Sequence, residues 1–447
     1  MVRVAAETPA CASLATERSG DHTNHGAATQ TELPFQTDHS IRVGQCSPLP
    51  ERKSAAMPNA EAVPAAVAWL QSQQANMLLL LEELVNTDSP SRDKAGVDAA
   101  GAVLARFFAS QGIPVEAEPQ AVQGDVLRAR VAQPEANDAR PILLMGHRDT
   151  VFPAGEAARR PFRIDAGRAY GPGVADMKGG LVVNAFVLAA FRATGGHPAP
   201  LVALITSDEE IASPACRPVI EREARTARVV LNSEPGRASG NIVSGRKGGV
   251  FLRFEVSGRP AHSGANFSDG RSAIGALAHK VLALHALTDL TRGTTVNVGL
   301  IAGGQTVNTV APNASGEIDL RYVHLADRQA ALDAIAAIMA EESVPDTTAR
   351  FEIAGEFLPL EATPESQRLM DLYLAGAAEL GMQIGGEFTG GCADSGFAAA
   401  QGTPTLCGLG AVGGKAHTPD EYLEVDSLVP RAQAMARLIV RLGESGL

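Results

Sequence analysis

The chain has 447 residues, 45% hydrophobic and 20% charged, so it carries apolar material for a sizeable core, expected in two domains. Lys plus Arg total 38 against 50 for Asp plus Glu, a formal net charge of −12, the wrong sign for general affinity toward phosphate backbones or anionic lipid. Nucleic acid and membranes are therefore not expected partners, and the apolar run Met77 to Leu81 is far shorter than the roughly 20 residues that cross a bilayer.

Five scattered cysteines (Cys11, Cys46, Cys216, Cys392 and Cys407) form no C-x-x-C pair, which argues against a disulfide framework and a thiolate zinc site. A reducing, cytoplasmic setting is the expectation, because the first twenty residues lack a continuous apolar segment after Arg3. Residues 1–57 are polar, without hydrophobic period, and read as a disordered extension; Met57 is an alternative start. His22 and His25 have no third ligand nearby and read as a solvated stretch.

From Ala65 to Val85 and again from Val97 to Gln111, apolar residues recur at three and four, predicting opening helices. Short apolar strands then alternate with helices: Ile142 to Met145, a helix near Gly179 to Arg192, Val202 to Ile205, and Val229 to Leu231. That pattern predicts an α/β domain whose mixed or largely parallel sheet is covered on both faces. From Gly248 the pattern becomes strand, helix, two strands, helix, strand, ending near Ile353. This is a ferredoxin-like β-α-β-β-α-β unit at 247–355, inserted between 58–246 and 356–447. A helix from Glu365, a strand near Pro404 to Leu409 and a helix from Ser427 return to the first domain.

The chemistry-bearing residues follow strands, where open sheets place ligands. After Ile142 to Met145 comes Gly146-His147-Arg148-Asp149, in which His147 is a candidate metal ligand and Asp149 the carboxylate that orients its ring. A surface histidine is the alternative. Asp176, at the exit of Tyr170-Gly171-Pro172-Gly173-Val174-Ala175, has an oxygen for each of two cations, or caps the next helix. Asp208-Glu209-Glu210 follows the next strand; such charges repel unless a cation or proton separates them, or form a solvated turn. Glu234 ends another strand, and His417 adds a second imidazole. Together these groups suffice for two cations with nitrogen and oxygen ligands, Zn²⁺ fitting best and Co²⁺ or Mn²⁺ substituting.

The series GHRDTVFP (146–153), YGPGVADMKGG (170–180), TSDEE (206–210), NSEPG (232–236), RPAHSG (259–264) and AHTPDE (416–421) resembles the zinc aminoacylase and carboxypeptidase family, over about residues 65–445. The resemblance implies a di-zinc aminopeptidase-like catalytic domain interrupted by a lid and dimerisation domain, and a homodimer. It makes Asp176 the bridging ligand, His147 and Glu234 ligands of one zinc, Glu210 and His417 ligands of the other, and Glu209 the general base that deprotonates the water shared by the two ions. His262 would stabilise the oxyanion, often in the neighbouring subunit's site. Asn308 and Arg321 match lid positions that hold substrate, and Gly390 and Gly391 lie on its substrate side. Arg321 could grip an α-carboxylate bidentately or form a surface ion pair on its strand. Cys392 stands where small or hydroxylic residues are more usual, and Arg246 and Lys247 at the hinge are expected to face solvent.

The implied reaction is hydrolysis of an amide bond releasing a C-terminal amino acid, glutamate carboxypeptidase-like, from a small peptide or N-acyl amino acid. An N-acyl-amino-acid deacylase or dipeptidase is the nearest rival, and a non-catalytic binder of small carboxylates a remote one.

Overall fold

In the computed structural model, which describes residues 64–132 and 140–444, the apolar runs after residues 141, 200 and 228 form adjacent parallel strands, Leu201–Thr206, Ile142–His147 and Val229–Asn232. Thr405–Leu406 extends the sheet in parallel beyond Val229–Asn232, and Val126–Val131 and Val115–Glu118 add two antiparallel strands at the other edge. Alternation along each strand buries both faces: Ile142 and Leu144 enter one apolar cluster, Leu143 and Met145 another. The reading of residues 1–57 lies outside the described residues.

Helix Gly180–Ala193 is buried from Gly180 to Phe191 and packs between Ala65–Leu70 and Leu428–Glu444. The stretch Val174–Ala193 is, by length and composition, apolar enough to cross a bilayer, which the unbroken-run criterion missed; 94% of its apolar window is buried inside the fold, so it is a core helix. The continuous opening helix expected over 65–85 is instead two, Ala65–Leu70 and Gln74–Val85. The Gln71-Ser72-Gln73 break follows from polar side chains that turn back onto the backbone, Ser72 Oγ and Gln73 Nε2 both donating to the Trp69 carbonyl.

Between the two parts of the main sheet, Gly248–Ser257, Thr295–Gly303, Asn313–Tyr322 and Thr348–Phe357 form a separate antiparallel sheet, the first strand pairing with the last two. In the first strand Val250, Leu252, Phe254 and Val256 face the core formed with helices Ala273–His285 and Leu325–Ala340. This is the expected β-α-β-β-α-β order.

Two small sheets were not legible from the pattern, and both position the site. One orders Gly413–Gly414, Tyr422–Glu424, Arg168–Tyr170 and Arg163–Asp165, bringing the loop that contains His417 against the loop that contains Asp176. The other pairs Ile242–Arg246 in parallel with Gly386–Thr389, setting Arg246 beside residues 390–392.

Close packing of helix on strand end fixes one glycine. A Cβ on Gly180 would lie 1.8 Å from the Ser233 carbonyl oxygen, next to Glu234. Gly180→Ala is therefore expected to destabilise the protein by about 1–3 kcal/mol in urea denaturation and to weaken metal binding, since backbone must move.

Candidate metal centre

His147 closes its strand, Glu209 and Glu210 open the 3₁₀ turn Glu209–Ile211 after the next, and Glu234 follows the third. Asp176 lies in the turn Val174–Gly179 ahead of the core helix, after a left-handed Gly173; its peptide bond to Met177 is cis. His417, with φ 63°, comes from the loop that the small four-stranded sheet folds back.

These groups converge. The two oxygens of Asp176 divide between the two imidazoles: Oδ1 is 3.4 Å from His147 Nε2 and Oδ2 is 3.3 Å from His417 Nε2. Glu234 Oε1 is 3.6 Å from His147 Nε2, and Glu210 Oε2 is 3.1 Å from His417 Nε2. Glu209 Oε2 is 3.9 Å from His147 Nε2, and His147, Glu209 and Glu234 bring ligand atoms within 4.8 Å of one another, as do His147, Asp176 and Glu210. His147 Nε2, Glu210 Oε1 and Glu234 Oε1 are buried without a hydrogen-bond partner. Buried polar atoms are almost always paired, so three orphans among nitrogen and oxygen donors fit a divalent cation of zinc's kind.

A ring of supporting contacts holds the set. His147 Nδ1 is 3.0 Å from the Asp149 carbonyl oxygen and 3.4 Å from its carboxylate. The backbone carbonyl thus shares the orienting role expected of the carboxylate alone. The Asp149 carboxylate instead accepts from Ser91 Oγ at 2.6 Å and from the Glu209 and Glu210 N–H groups, both at 3.2 Å, fixing the acidic turn. Asp149 is fully buried and acts through its neighbours. Asp208, first of the three acids, turns away and accepts from the Ala215 N–H at 2.7 Å.

Three residues have supporting roles that the sequence did not assign to them. Glu421, fully buried, accepts N–H bonds from Gly173 (3.1 Å), Ala175 (2.8 Å) and Asp176 (2.9 Å), so the His417 loop also clamps the Asp176 loop. Arg246, expected in solvent, is buried, because its parallel pairing turns it inward: it lies 3.6 Å from Glu234 Oε2 and donates to the Gly391 and Cys392 carbonyls. Asp394 accepts from Thr206 Oγ1 at 3.2 Å and from Ser213 Oγ, tying the C-terminal part of the chain to the turn that carries Glu209. For Glu421 a signal existed, its place four residues after His417.

The electrostatics are those of several carboxylates crowded together in a buried site. Burial, with Glu234 and Glu210 close by, pushes Glu209 well up, and burial raises Glu210 to about 7. Asp176 and Glu210 push His417 up to about 10, while the two imidazoles, against burial, hold Asp176 down. Burial also raises Asp394 and Glu421 to about 7.

A cavity of about 920 Å³ joins the centre to the inserted unit, lined by Glu209, Glu210 and His417 on one side and by Phe251 and Arg321 on the other. Gly391 and Cys392 also line it; the exposed Gly390 does not. Arg321 is held by Asp319 at 2.6 Å and meets Cys392 Sγ at 2.7 Å, so it has both the cavity position and the ion pair that the sequence left as alternatives. His262 and Asn308 are exposed and do not line this cavity; they lie beside each other, residues 262 and 309 forming a bridge and the Ser263 N–H donating to the Asn308 carbonyl.

A mixed α/β fold with clustered imidazoles and carboxylates at the strand ends, opening to an inserted unit, defines a metal-dependent hydrolase. The profile of peptidase family M20/M25/M40 matches residues 143–441, and the chain belongs to that family. It is 29% identical over 377 residues to carboxypeptidase G2 of Pseudomonas sp. (strain RS-16), covering 83% of this chain and 90% of that protein. It is 27% identical to acetylornithine deacetylase of Salmonella arizonae, covering 80% and 95%. Among solved structures, an M20 family metallo-carboxypeptidase from Sulfolobus solfataricus superposes with a TM-score of 0.68 at 18% identity (83% and 99% covered). A tripeptidase from Staphylococcus aureus gives 0.68 at 20% (83% and 99%). With the family established, the non-catalytic alternative falls.

Two predictions test the supporting ring. Glu421→Ala is expected to lower metal affinity about 10- to 100-fold in chelator competition, by freeing the Asp176 loop. Asp394, raised from 3.8 to about 7, keeps in the folded state a proton that the unfolded chain releases, so it lowers stability progressively as pH rises from about 4 to 7. Thermal melts of metal-stripped protein across that window are expected to show a shallower decline for Asp394→Asn than for the wild type.

Proposed function

We propose that the protein is a two-zinc carboxypeptidase-type amidohydrolase that releases a C-terminal amino acid, glutamate being the first candidate, from a small peptide or N-acyl amino acid. The division of the Asp176 carboxylate, one oxygen toward each histidine, carries the reading. In it Asp176 would be shared by two ions, His147 and Glu234 would complete the hold on one, and Glu210 and His417 on the other.

Divalent ions held there supply Lewis acidity, polarising the scissile carbonyl and acidifying water. Glu209 accepts the proton of the attacking water and delivers it to the departing amine. It suits that task because its carboxylate lines the cavity and is not one of the assigned ligands, which leaves it free to face the water. Arg321, on the inserted sheet, faces the α-carboxylate of the amino acid being released, with Cys392 and Gly391 beside it.

His262 is exposed outside the cavity of its own chain, which supports its acting, with Asn308, in the site of a partner subunit. A homodimer formed through the inserted unit would supply it.

Elemental analysis of dialysed protein, coupled to amino-acid release from N-acyl, N-aroyl and dipeptide substrates, tests the reading. About two zinc ions per chain and chelator-sensitive release are expected, and the best substrate chooses between carboxypeptidase, deacylase and dipeptidase. Glu209→Gln should lower kcat by about 10²–10⁴-fold with metal content unchanged. Lost metal in that variant would make Glu209 a ligand rather than the base.

A further inference from the structure

Six cationic side chains line the cavity of the metal centre: Arg92, Arg237, Arg246, Arg253, Arg321 and Lys415. Five have a carboxylate within 4 Å: Glu387 for Arg237 (3.0 Å), Glu234 for Arg246 (3.6 Å), Glu317 for Arg253 (3.4 Å), Asp319 for Arg321 (2.6 Å) and Asp420 for Lys415 (3.4 Å). Arg92 has no such partner among the described residues.

Its side chain is exposed, but its backbone is anchored on both sides. Ser91, 5% exposed, donates to the Asp149 carboxylate that carries the Glu209–Glu210 turn. The Asp93 N–H bonds the Pro90 carbonyl at 2.8 Å, and the Thr150 N–H bonds the Ser89 carbonyl at 2.8 Å. The Asp88 carboxylate, four residues earlier, accepts from the Gly155 and Ala157 N–H groups and forms no ion pair with Arg92. A guanidinium on a fixed base, at the cavity wall and without an ion pair among the described residues, in a chain of net charge −12, is set to take an anion from outside.

We propose that Arg92 is a specificity residue that binds a carboxylate on the acyl part of the substrate, so that the preferred substrates are amides of dicarboxylic acids or peptides with an acidic residue before the scissile bond. The assignment rests on the proposed function. With Arg321 on the inserted unit holding the departing amino acid, a second anion site on the metal-bearing wall faces the other side of the bond. An Arg–carboxylate contact is charge-assisted and frequently bidentate, so it favours a carboxylate over an uncharged isostere.

The test compares N-succinyl and N-succinamoyl derivatives of one amino acid, nearly isosteric and differing in charge, on zinc-loaded wild type, Arg92→Gln and Arg92→Lys. The wild type is expected to prefer the succinyl compound. Arg92→Gln should lower kcat/KM for it about 10- to 100-fold, mainly through KM, and leave the succinamoyl compound within about twofold, with Arg92→Lys restoring part of the loss. The preference should also shrink as salt rises. An equal fall for both compounds would make Arg92 a structural residue, and no fall for either would leave it facing solvent; both overturn the proposal. If the wild type, with metal bound, cleaves neither compound, the proposed reaction fails on its own account. Calorimetric binding of the two compounds then decides Arg92 separately: succinyl binding unaffected by Arg92→Gln overturns it, and selective weakening upholds it.

Discussion

Four carboxylates, those of Asp176, Glu209, Glu210 and Glu234, end close to two imidazoles at the head of a buried sheet, and so many like charges in a low dielectric repel unless positive charge lies among them. Much of the surrounding structure answers that constraint. Asp149 accepts from the N–H groups of Glu209 and Glu210, Glu421 accepts from the Asp176 N–H, and Arg246 forms an ion pair with Glu234, holding the arrangement before any ion arrives. Preorganisation of this kind strengthens metal binding because the protein does not reorder its ligands on binding.

The four acids come from three separate stretches of chain, and the strand pairings bring them together. Parallel pairing aligns the ends of Ile142–His147, Leu201–Thr206 and Val229–Asn232, so three of the loops meet without further instruction. His417 is different, lying some 180 residues further on beyond the inserted unit. It reaches Asp176 because Tyr422–Glu424 pairs with Arg168–Tyr170, and Glu421, the residue before that strand, locks the Asp176 loop from the same side. One short pairing thus delivers a candidate ligand and a clamp.

The larger elements were legible in the sequence because burial writes periodicity. Strands such as Leu201–Thr206, apolar on both faces, and the alternating Gly248–Ser257 each leave a pattern that a window of a few residues reveals. His147, Glu209, Glu210 and Glu234 stood out because charged residues directly after buried strands are unusual, whereas the division of ligands, with Asp176 and His417, came from the resemblance. Pairings of two to five residues, such as Gly413–Gly414 with Tyr422–Glu424, leave no such pattern, and the roles they create were not readable. Arg246 is the clearest case: the sequence shows a cation at a hinge, and only the pairing with Gly386–Thr389 turns it toward Glu234. Ser72 and Gln73 interrupted a helix that apolar spacing alone would have continued, because spacing does not register side chains competing for backbone carbonyls.

Anomalous diffraction from crystals of zinc-loaded protein tests the central claim most directly, because it locates the ions independently of activity. The account predicts two peaks per chain, both in contact with Asp176, one also meeting His147 and Glu234 and the other Glu210 and His417. A single peak, or ions bound elsewhere while these residues keep their positions, would contradict it.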